Sequence, residues 1–481
     1  MRKEYKIILF LFLFSFFIQL GFFLILKVRY WDEAVYISLA KDLATDFFNY
    51  SLNGAFWSDF IPFGSLPYSW PNIGFRAPLL PVTLSFFYRF KLSFLVDYFV
   101  PFIGALNVVL VYSLGKRIFN SKTGLYAGIL FSLIPINLLW GSRISTGIYG
   151  IFFLLLSFIF FWKGFEEKND SSKILFGVFL ALAILARYTI MWVIPVFLIY
   201  FLIRDKNLKI LRDKYLWGSI VSFFIVMIPW FIYGLKFYSH PLGAFIHGTI
   251  GASFWGGVQS SLFYFTNFWS IYSVIGIIFF FGLIYILKKK LFLDKRVYLF
   301  LIWFFFFFIV ASLVPHKEER FLLILIPPLC LLSGFFLNKL NITSLVNKKR
   351  EFLFRFILFF LIFLIICVPL FITRYNHENM GTNGCFLEGM DFIGSLDEGS
   401  LIYSDEPPIV YAYADKKTRY YPNPWNLSEL EKGEKIYILY TDYDKPLYLE
   451  ENLFFREDLS KNLELIFSCE KGWGITEIYK V

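Results

Sequence analysis

IILFLFLFSFFIQLGFFLIL, residues 7–26, carries no charge along its whole length, and Trp31-Asp32-Glu33 follows it after four residues. At 1.5 Å of rise per residue, about 20 such positions make a helix long enough to cross a bilayer core. Arg2, Lys3 and Lys6 precede the run. The stretch is too long for the apolar core of a signal peptide and no small-residue cleavage site follows, so it reads as an uncleaved first span. Comparable runs recur near 98–115, 123–140, 145–162, 173–187, 189–203, 215–235, 262–287, 297–314, 320–338 and 352–374. The expectation is an α-helical polytopic membrane protein of about 11 transmembrane helices, with the short pair around Arg187 the least regular.

Composition agrees. Of 481 residues 58% are hydrophobic and only 17% charged, where a soluble chain carries about a quarter. The net charge of +10 would suit nucleic acid, but its placement argues against that partner. With the N-terminus inside, the basic residues collect in alternate loops: Lys116/Arg117/Lys122, Lys163/Lys168/Lys173, Arg204 to Lys214, Lys288 to Arg296 and Lys339 to Arg350. The opposite short loops carry only Arg143, Arg187, Lys236 and the pair Lys317/Arg320, balanced by Glu318/Glu319. That alternation is the positive-inside pattern of a multi-pass protein of the cell membrane in contact with anionic lipid. An odd number of spans puts residues 375–481 outside the cytoplasm.

Residues 1–374 thus read as a membrane module and 375–481 as a small extracytoplasmic α/β domain. The first outer loop, 29–97, holds an amphipathic stretch from Ala34 to Leu43, a Gly/Pro/Ser-rich turn region (Ser51 to Gly74) and an apolar helix from Pro78 to Phe90. Both helices read as lying in the membrane interface. In the tail, Leu401–Tyr403, Ile436–Tyr440, Leu463–Phe467 and Ile475–Tyr479 read as strands, with helical pieces near 386–396 and 408–414. Cys330 and Cys367 fall in apolar runs. Cys385 and Cys469 lie in the tail, where the compartment permits a disulfide that the sequence does not fix.

Four groups could carry chemistry. Asp32 and Glu33 stand just beyond the first span, where low dielectric can raise a carboxylate towards the range of a general base. The plainer reading makes Asp32 a helix N-cap and Glu33 a partner of the dipole. Arg76 precedes Pro78 at the head of a helix, placed either to bind phosphate with its fork or to snorkel. His316-Lys317-Glu318-Glu319-Arg320-Phe321 packs five ionisable groups into one outer turn, which must either pair among themselves or bind something polar. Arg143 occupies another outer turn. His240 and His247, in a loop ending at Gly256-Gly257, are weak as a metal pair, and that loop is a plausible flap.

The order of these features resembles the GT-C superfamily of polytopic glycosyltransferases, which use sugars linked to a polyprenyl phosphate. Trp31-Asp32-Glu33-Ala34-Val35-Tyr36 and Phe75-Arg76-Ala77-Pro78-Leu79-Leu80-Pro81 look like the protein O-mannosyltransferases and the lipid A aminoarabinose transferases. His316 to Phe321 is similar instead to a motif of dolichyl-phosphate-mannose-dependent transferases. The resemblance implies an inverting transfer to a hydroxyl of a protein, lipid or glycan acceptor. Asp32 would be the base, Glu33 its helper or a metal ligand, and Arg76, Arg320 and Arg143 the holders of the donor phosphate. His316, Lys317, Glu318 and Glu319 would support them. Many relatives carry an acidic residue after an Arg-x-x-Thr pattern in the second outer loop; here Arg143-Ile144-Ser145-Thr146 runs into Gly147. That departure leaves a divalent ion, Mg or Mn, at Asp32 and Glu33 an open question.

Two other classes compete. A transporter or flippase of lipid-linked saccharides should bury ionisable residues mid-span and show inverted repeats, and the sequence shows neither plainly. A receptor or scaffold leaves Asp32, Arg76 and Arg320 without a reason.

Overall fold

The computed structural model describes residues 2–26, 29–48, 50–52, 54–56, 76–205, 209–254, 258–340, 348–378, 381–420, 435–441, 450–471 and 474–481. Most of the Ser51–Gly74 turn region and the Gly256-Gly257 pair lie outside these residues. The helices, in chain order, are α1 (Arg2–Leu24), α2 (Trp31–Thr45), α3 (Leu79–Arg89), α4 (Val96–Ile118), α5 (Ser121–Leu133), α6 (Pro135–Gly141) and α7 (Thr146–Phe161). They continue with α8 (Asp170–Ala186), α9 (Val193–Arg204), α10 (Lys214–Tyr238), α11 (Gly243–Phe254), α12 (Phe263–Thr266), α13 (Phe268–Lys288), α14 (Lys295–Leu313), α15 (Ile326–Lys339) and α16 (Lys348–Glu378). Three more, α17 (Gly381–Ser395), α18 (Pro407–Ala414) and α19 (Glu450–Asn462), fall in the tail.

Among the described residues, eight helices are long and apolar enough to cross a membrane, or nine if the bent pair α5–α6 is one span. The count of 11 would need in addition α8 and α9, which are 17 and 12 residues long. It is not confirmed. The architecture itself is: a polytopic helical protein with a small sheet near its C-terminus.

By internal contacts the chain forms two compact units. One comprises Met1–Phe23, Phe75–Leu80 and Asp97–Phe371; the other comprises Leu24–Gly74, Pro81–Val96 and Ile372–Val481.

In the first unit burial ranks the spans. The span Glu319–Lys339 has 83% of its apolar window buried, against 17% for Lys214–Tyr238. Leu198, Ile225 and Leu313 point outward from their helices at 57–74% exposure. Such a surface is costly in water and ordinary against lipid tails. Lipid supplies little force to press helices together, so close packing and internal hydrogen bonds do it instead. A β-carbon on Gly124 would lie 2.4 Å from the Tyr112 carbonyl oxygen of α4, and one on Gly334 would lie 2.8 Å from the Thr123 carbonyl oxygen of α5. Glycine at those two positions is what lets α4, α5 and α15 touch. Buried Asn107 donates to the Ile148 carbonyl at 2.9 Å, adding a polar tie between α4 and α7.

The loops rich in basic residues meet at one end of this unit. Arg117 pairs with Glu167 at 2.6 Å, Arg204 and Lys295 both pair with Glu166 at 2.7 and 2.5 Å, and Lys173 pairs with Asp213 at 2.6 Å. Lys116 reaches Glu4 near the N-terminus. Successive helices therefore run up and down, as the alternating charge requires. The side of the membrane on which this end lies is a separate matter.

The second unit is a mixed sheet in the order β1-β3-β2-β4-β6-β5. Its strands are β1 (Ala55–Phe56), β2 (Leu401–Tyr403), β3 (Lys417–Arg419), β4 (Ile436–Thr441), β5 (Glu464–Lys471) and β6 (Gly474–Lys480). The first four in that order are parallel, and β4, β6 and β5 are antiparallel. Edge strand β1 comes from the first loop and pairs Ala55 with Thr418. The same loop supplies α2, whose Ala34 joins Phe386, Ile402, Val410 and Leu439 in one core. A helix lying on a membrane surface keeps one face to lipid; α2 instead buries residues on every side, from Glu33 to Ala40 and again at Asp42 and Leu43. Its burial reflects packing inside a folded unit. Cys385 and Cys469 are joined in a disulfide between α17 and β5.

Candidate functional site

Asp32 and Glu33 belong to the second unit, in the first turn of α2. The N-cap is Tyr30, not Asp32. Glu33 stands three residues on, is 5% exposed, and accepts the Tyr30 amide at 2.7 Å, the reciprocal half of a capping box. Glu33 thus has a structural duty at the start of α2. Both carboxylates sit where the helix dipole favours negative charge. Among the described residues no group of three or more His, Cys, Asp or Glu side chains is gathered to hold a metal ion.

The remaining candidates belong to the first unit. Arg76 is half-buried just ahead of α3, and its carbonyl accepts the Tyr188 hydroxyl at 3.2 Å. Arg143 is buried in the turn between α6 and α7. There Ser145 caps α7 by accepting the Gly147 amide at 3.2 Å.

The 316–320 turn is a network. His316 Nε2 lies 2.8 Å from Glu318 Oε1, and Arg320 Nη2 donates to that same oxygen at 2.8 Å. Arg320 Nε makes an ion pair with the other oxygen, so the guanidinium faces both oxygens of the carboxylate with Nη2 as the hydrogen-bonding prong. The Arg320 guanidinium lies 5.3 Å from the Trp140 ring centroid. Lys317 is 3% exposed and spends its ammonium on the carbonyls of Val314 (2.6 Å), Gln259 (3.1 Å) and Pro315 (3.4 Å). It is a staple between two loops. Glu319 is exposed.

Two residues join this cluster that the sequence did not single out. Arg187, at the C-cap of α8, stands 5.9 Å from the Phe321 ring centroid. Tyr264 is fully buried; its hydroxyl donates to the Glu318 carbonyl at 3.0 Å and accepts the Glu318 amide at 3.2 Å. Burial pushes the Tyr264 phenol well above its ordinary value, with the Arg187 charge opposing, so it remains a neutral hydroxyl. The available signal was the lone arginine in an apolar break at 187. Tyr264 gave none, since its role depends on a partner 54 residues away.

The same unit holds an apolar groove of about 460 Å³, lined by Ile184, Met191, Met227, Phe231, Phe245 and Ile246 among others. Phe245 packs on the Tyr188 ring at 4.5 Å. Tyr188 follows Arg187 in the chain and donates to the Arg76 carbonyl, so one residue separates the groove wall from both arginines. His247 of α11 stacks on Tyr238 at 4.8 Å, and burial lowers its pKa. His240 is exposed and accepts the Leu242 amide within its own turn.

Residues 76–233 match the family model for dolichyl-phosphate-mannose-protein mannosyltransferase. ArnT from Cupriavidus metallidurans, solved bound to undecaprenyl phosphate, superposes with a TM-score of 0.72 over 98% of this chain and 97% of that one, at 13% identity. The chain shares the fold of this ArnT. The apo state of the same ArnT gives a TM-score of 0.69 at 13% identity over 96% and 95% of the two chains. Archaeal oligosaccharyltransferase AglB from Archaeoglobus fulgidus, in complex with an inhibitory peptide and a dolichol-phosphate, gives 0.55 at 14% identity over 85% of this chain and 64% of that one. No curated protein matches significantly. The resemblance read from the first loop is thus supported at the level of fold and family model. The likeness of His316 to Phe321 to a motif of dolichyl-phosphate-mannose-dependent transferases finds no support in these matches.

Proposed function

We propose that this chain is an inverting glycosyltransferase that moves a sugar from a polyprenyl phosphate to a hydroxyl acceptor on the extracytoplasmic face of the cell membrane. One observation carries the reading: Tyr188, which follows Arg187 and donates to the Arg76 carbonyl, packs on Phe245 in the wall of an apolar groove. A polyprenyl phosphate has the matching build, an apolar tail and an anionic head. The GT-C fold and the mannosyltransferase match of residues 76–233 support it.

On this reading the tail lies along Met227, Phe231, Phe245 and Ile246, and Arg76, Arg143 and Arg320 receive the phosphate, with Arg187 added to them. As the sugar–phosphate bond breaks, charge grows on the leaving oxygen, and fixed guanidinium groups stabilise that charge more than they stabilise the donor. Asp32 takes the proton of the attacking hydroxyl, a role worth about 10²–10⁴-fold. Glu33 holds the turn that presents Asp32. A divalent ion, if part of the reaction, would be held by Asp32 and Glu33 and would polarise the phosphate or the hydroxyl.

The basic loops that meet around Glu166 would face the cytoplasm. The Cys385–Cys469 disulfide suits an oxidising compartment for the second unit. The test is purified protein with a panel of radiolabelled polyprenyl-phosphate sugars, reading release of free polyprenyl phosphate. Cleavage with sugar appearing on an acceptor is the expected result. Passage of intact donor across a vesicle membrane without cleavage would overturn the reading.

A further inference from the structure

Glu318 presents Arg320 with two anionic oxygens, one hydrogen-bonded by Nη2 and one ion-paired with Nε, and a phosphate could present the same charge and donor demand to this guanidinium. We propose that Glu318 is an internal latch: its carboxylate occupies the Arg320 fork at rest, gives way to a lipid phosphate, and retakes the fork as the phosphate leaves. The inference rests on the arginine cluster being a lipid-phosphate site, and it assigns a mode of regulation to that site.

Three features make the exchange feasible. Glu318 does not depend on Arg320 for its position, because Tyr264 ties both its amide and its carbonyl and His316 Nε2 holds Oε1 at 2.8 Å. A carboxylate that loses Arg320 still keeps a partner, which lowers the penalty for an abandoned charge. Arg320 is seated independently too, its guanidinium 5.3 Å from the Trp140 centroid, so it can change anions without losing its place. Both side chains are only partly covered, at 27% exposure for Glu318 and 23% for Arg320, so the pair is open to an incoming anion.

The latch has two consequences. Weak anions must displace a carboxylate already paired with the guanidinium, so they do not occupy the fork. The product phosphate meets a competitor already in place, which hastens its release. Glu318 is a positioning residue here, acting on the lipid only through Arg320.

Affinity for undecaprenyl phosphate, titrated calorimetrically into the full-length protein in detergent, tests the idea. Glu318→Gln should bind about tenfold tighter than wild type, the scale of one relieved charge-assisted contact. In the Arg320→Gln background the same change should give no gain, which separates a latch on the fork from a general change of charge. Donor KM and kcat should both fall in Glu318→Gln if release of product limits turnover. Glu318→Asp, one methylene shorter, should fall between wild type and Glu318→Gln and serves if the latter does not fold. Unchanged or weaker binding in folded Glu318→Gln or Glu318→Asp, or a gain that persists without Arg320, overturns the latch alone. Failure of wild type to bind undecaprenyl phosphate overturns both the latch and the reading on which it rests.

Discussion

Arg187 Nη1 stands 3.3 Å from the point that a β-carbon on Gly147 would occupy, and Leu323 Cδ1 stands 2.6 Å from the same point. The absence of an acidic side chain after Arg143-Ile144-Ser145-Thr146 therefore has a steric reason in this chain. The Leu323 methyl fills the space a side chain would need. Gly147→Ala should cost about 1–3 kcal/mol by overpacking, and Leu323→Ala should restore part of the loss. Gly147→Asp should add an ion pair to Arg187 and so weaken binding of undecaprenyl phosphate beyond the loss in Gly147→Ala. Thermal melting and lipid titration of the three variants check both statements. Equal binding by Gly147→Asp and Gly147→Ala would remove Arg187 from the phosphate site.

Asp32 and Glu33 should separate under conservative substitution. Asp32→Asn should lower turnover by about 10²–10⁴-fold with melting temperature and lipid affinity nearly unchanged. Glu33→Gln keeps a side-chain oxygen for the Tyr30 amide but loses its charge at the helix start, so its effect should be on stability, on the order of 0.5–1 kcal/mol. Activity should then follow the folded fraction. Assays after chelation, and again with Mg or Mn restored, show whether turnover needs the ion assigned to this pair. Wild-type turnover in Asp32→Asn would remove Asp32 as the base.

These contrasts mark where the sequence was legible. Apolar runs and alternating basic loops are local signals, and each of the eleven runs coincides with helix even where the helix is too short to count as a span. Strands β2, β4, β5 and β6 announced themselves by apolar content. The pairing of Ala55 with Thr418 did not, because β1 and β3 are two and three residues long and are specified by each other across the whole chain. For the same reason α2 read as a surface helix. Its burial depends on Val410 and Phe386, more than 350 residues away. The Arg320–Glu318–His316 network was visible as a cluster of charge, but which members pair is a matter of side-chain geometry.

The disulfide between Cys385 and Cys469 closes 84 residues of chain. Restricting the unfolded state by a loop of that size stabilises by about 3–5 kcal/mol in the chain-entropy account. Cys385→Ser combined with Cys469→Ser should therefore lower the melting temperature of the second unit while leaving lipid binding by the first unit intact. Alkylation of protein taken directly from native membranes should label all four cysteines only after reduction and unfolding, and Cys330 and Cys367 alone in unreduced, unfolded protein. Full labelling without reduction would place the second unit in a reducing compartment and contradict the proposed orientation.

Acid should loosen the second unit through Glu477. Burial by itself would raise this carboxyl, but Arg456 donates to both its oxygens, at 2.9 and 2.5 Å, and Tyr479 donates at 2.6 Å; together they hold it below its ordinary value of 4.5. The folded state thus binds its proton less readily than the unfolded state does. The stabilisation is complete above pH 4.5 and is lost as pH falls through the lower, folded value. Glu477→Gln should melt lower than wild type at pH 7, by about 1–3 kcal/mol for the partners left behind, and the gap should close on acidification. A gap that stays constant down to strong acid would show that Glu477 contributes by packing and not by charge.

The apolar groove makes a prediction about chain length. Ile246 lies on its wall, on the same face of α11 as Leu242, Phe245 and Thr249, and is 45% exposed, so a larger ring there can be accommodated without unfolding the helix. Ile246→Trp should partly fill the 460 Å³ of the groove. A long polyprenyl tail would then lose apolar contact worth about 25 cal/mol per Å² of surface no longer buried, while a donor with a much shortened tail would lose little. The ratio of KM for long-chain and short-chain donors should rise by about tenfold, with kcat on the short donor near wild type. Arg187→Gln should do the reverse, weakening both donors alike, since it acts on the shared phosphate. If Ile246→Trp weakened both donors equally, the tail would have to lie elsewhere.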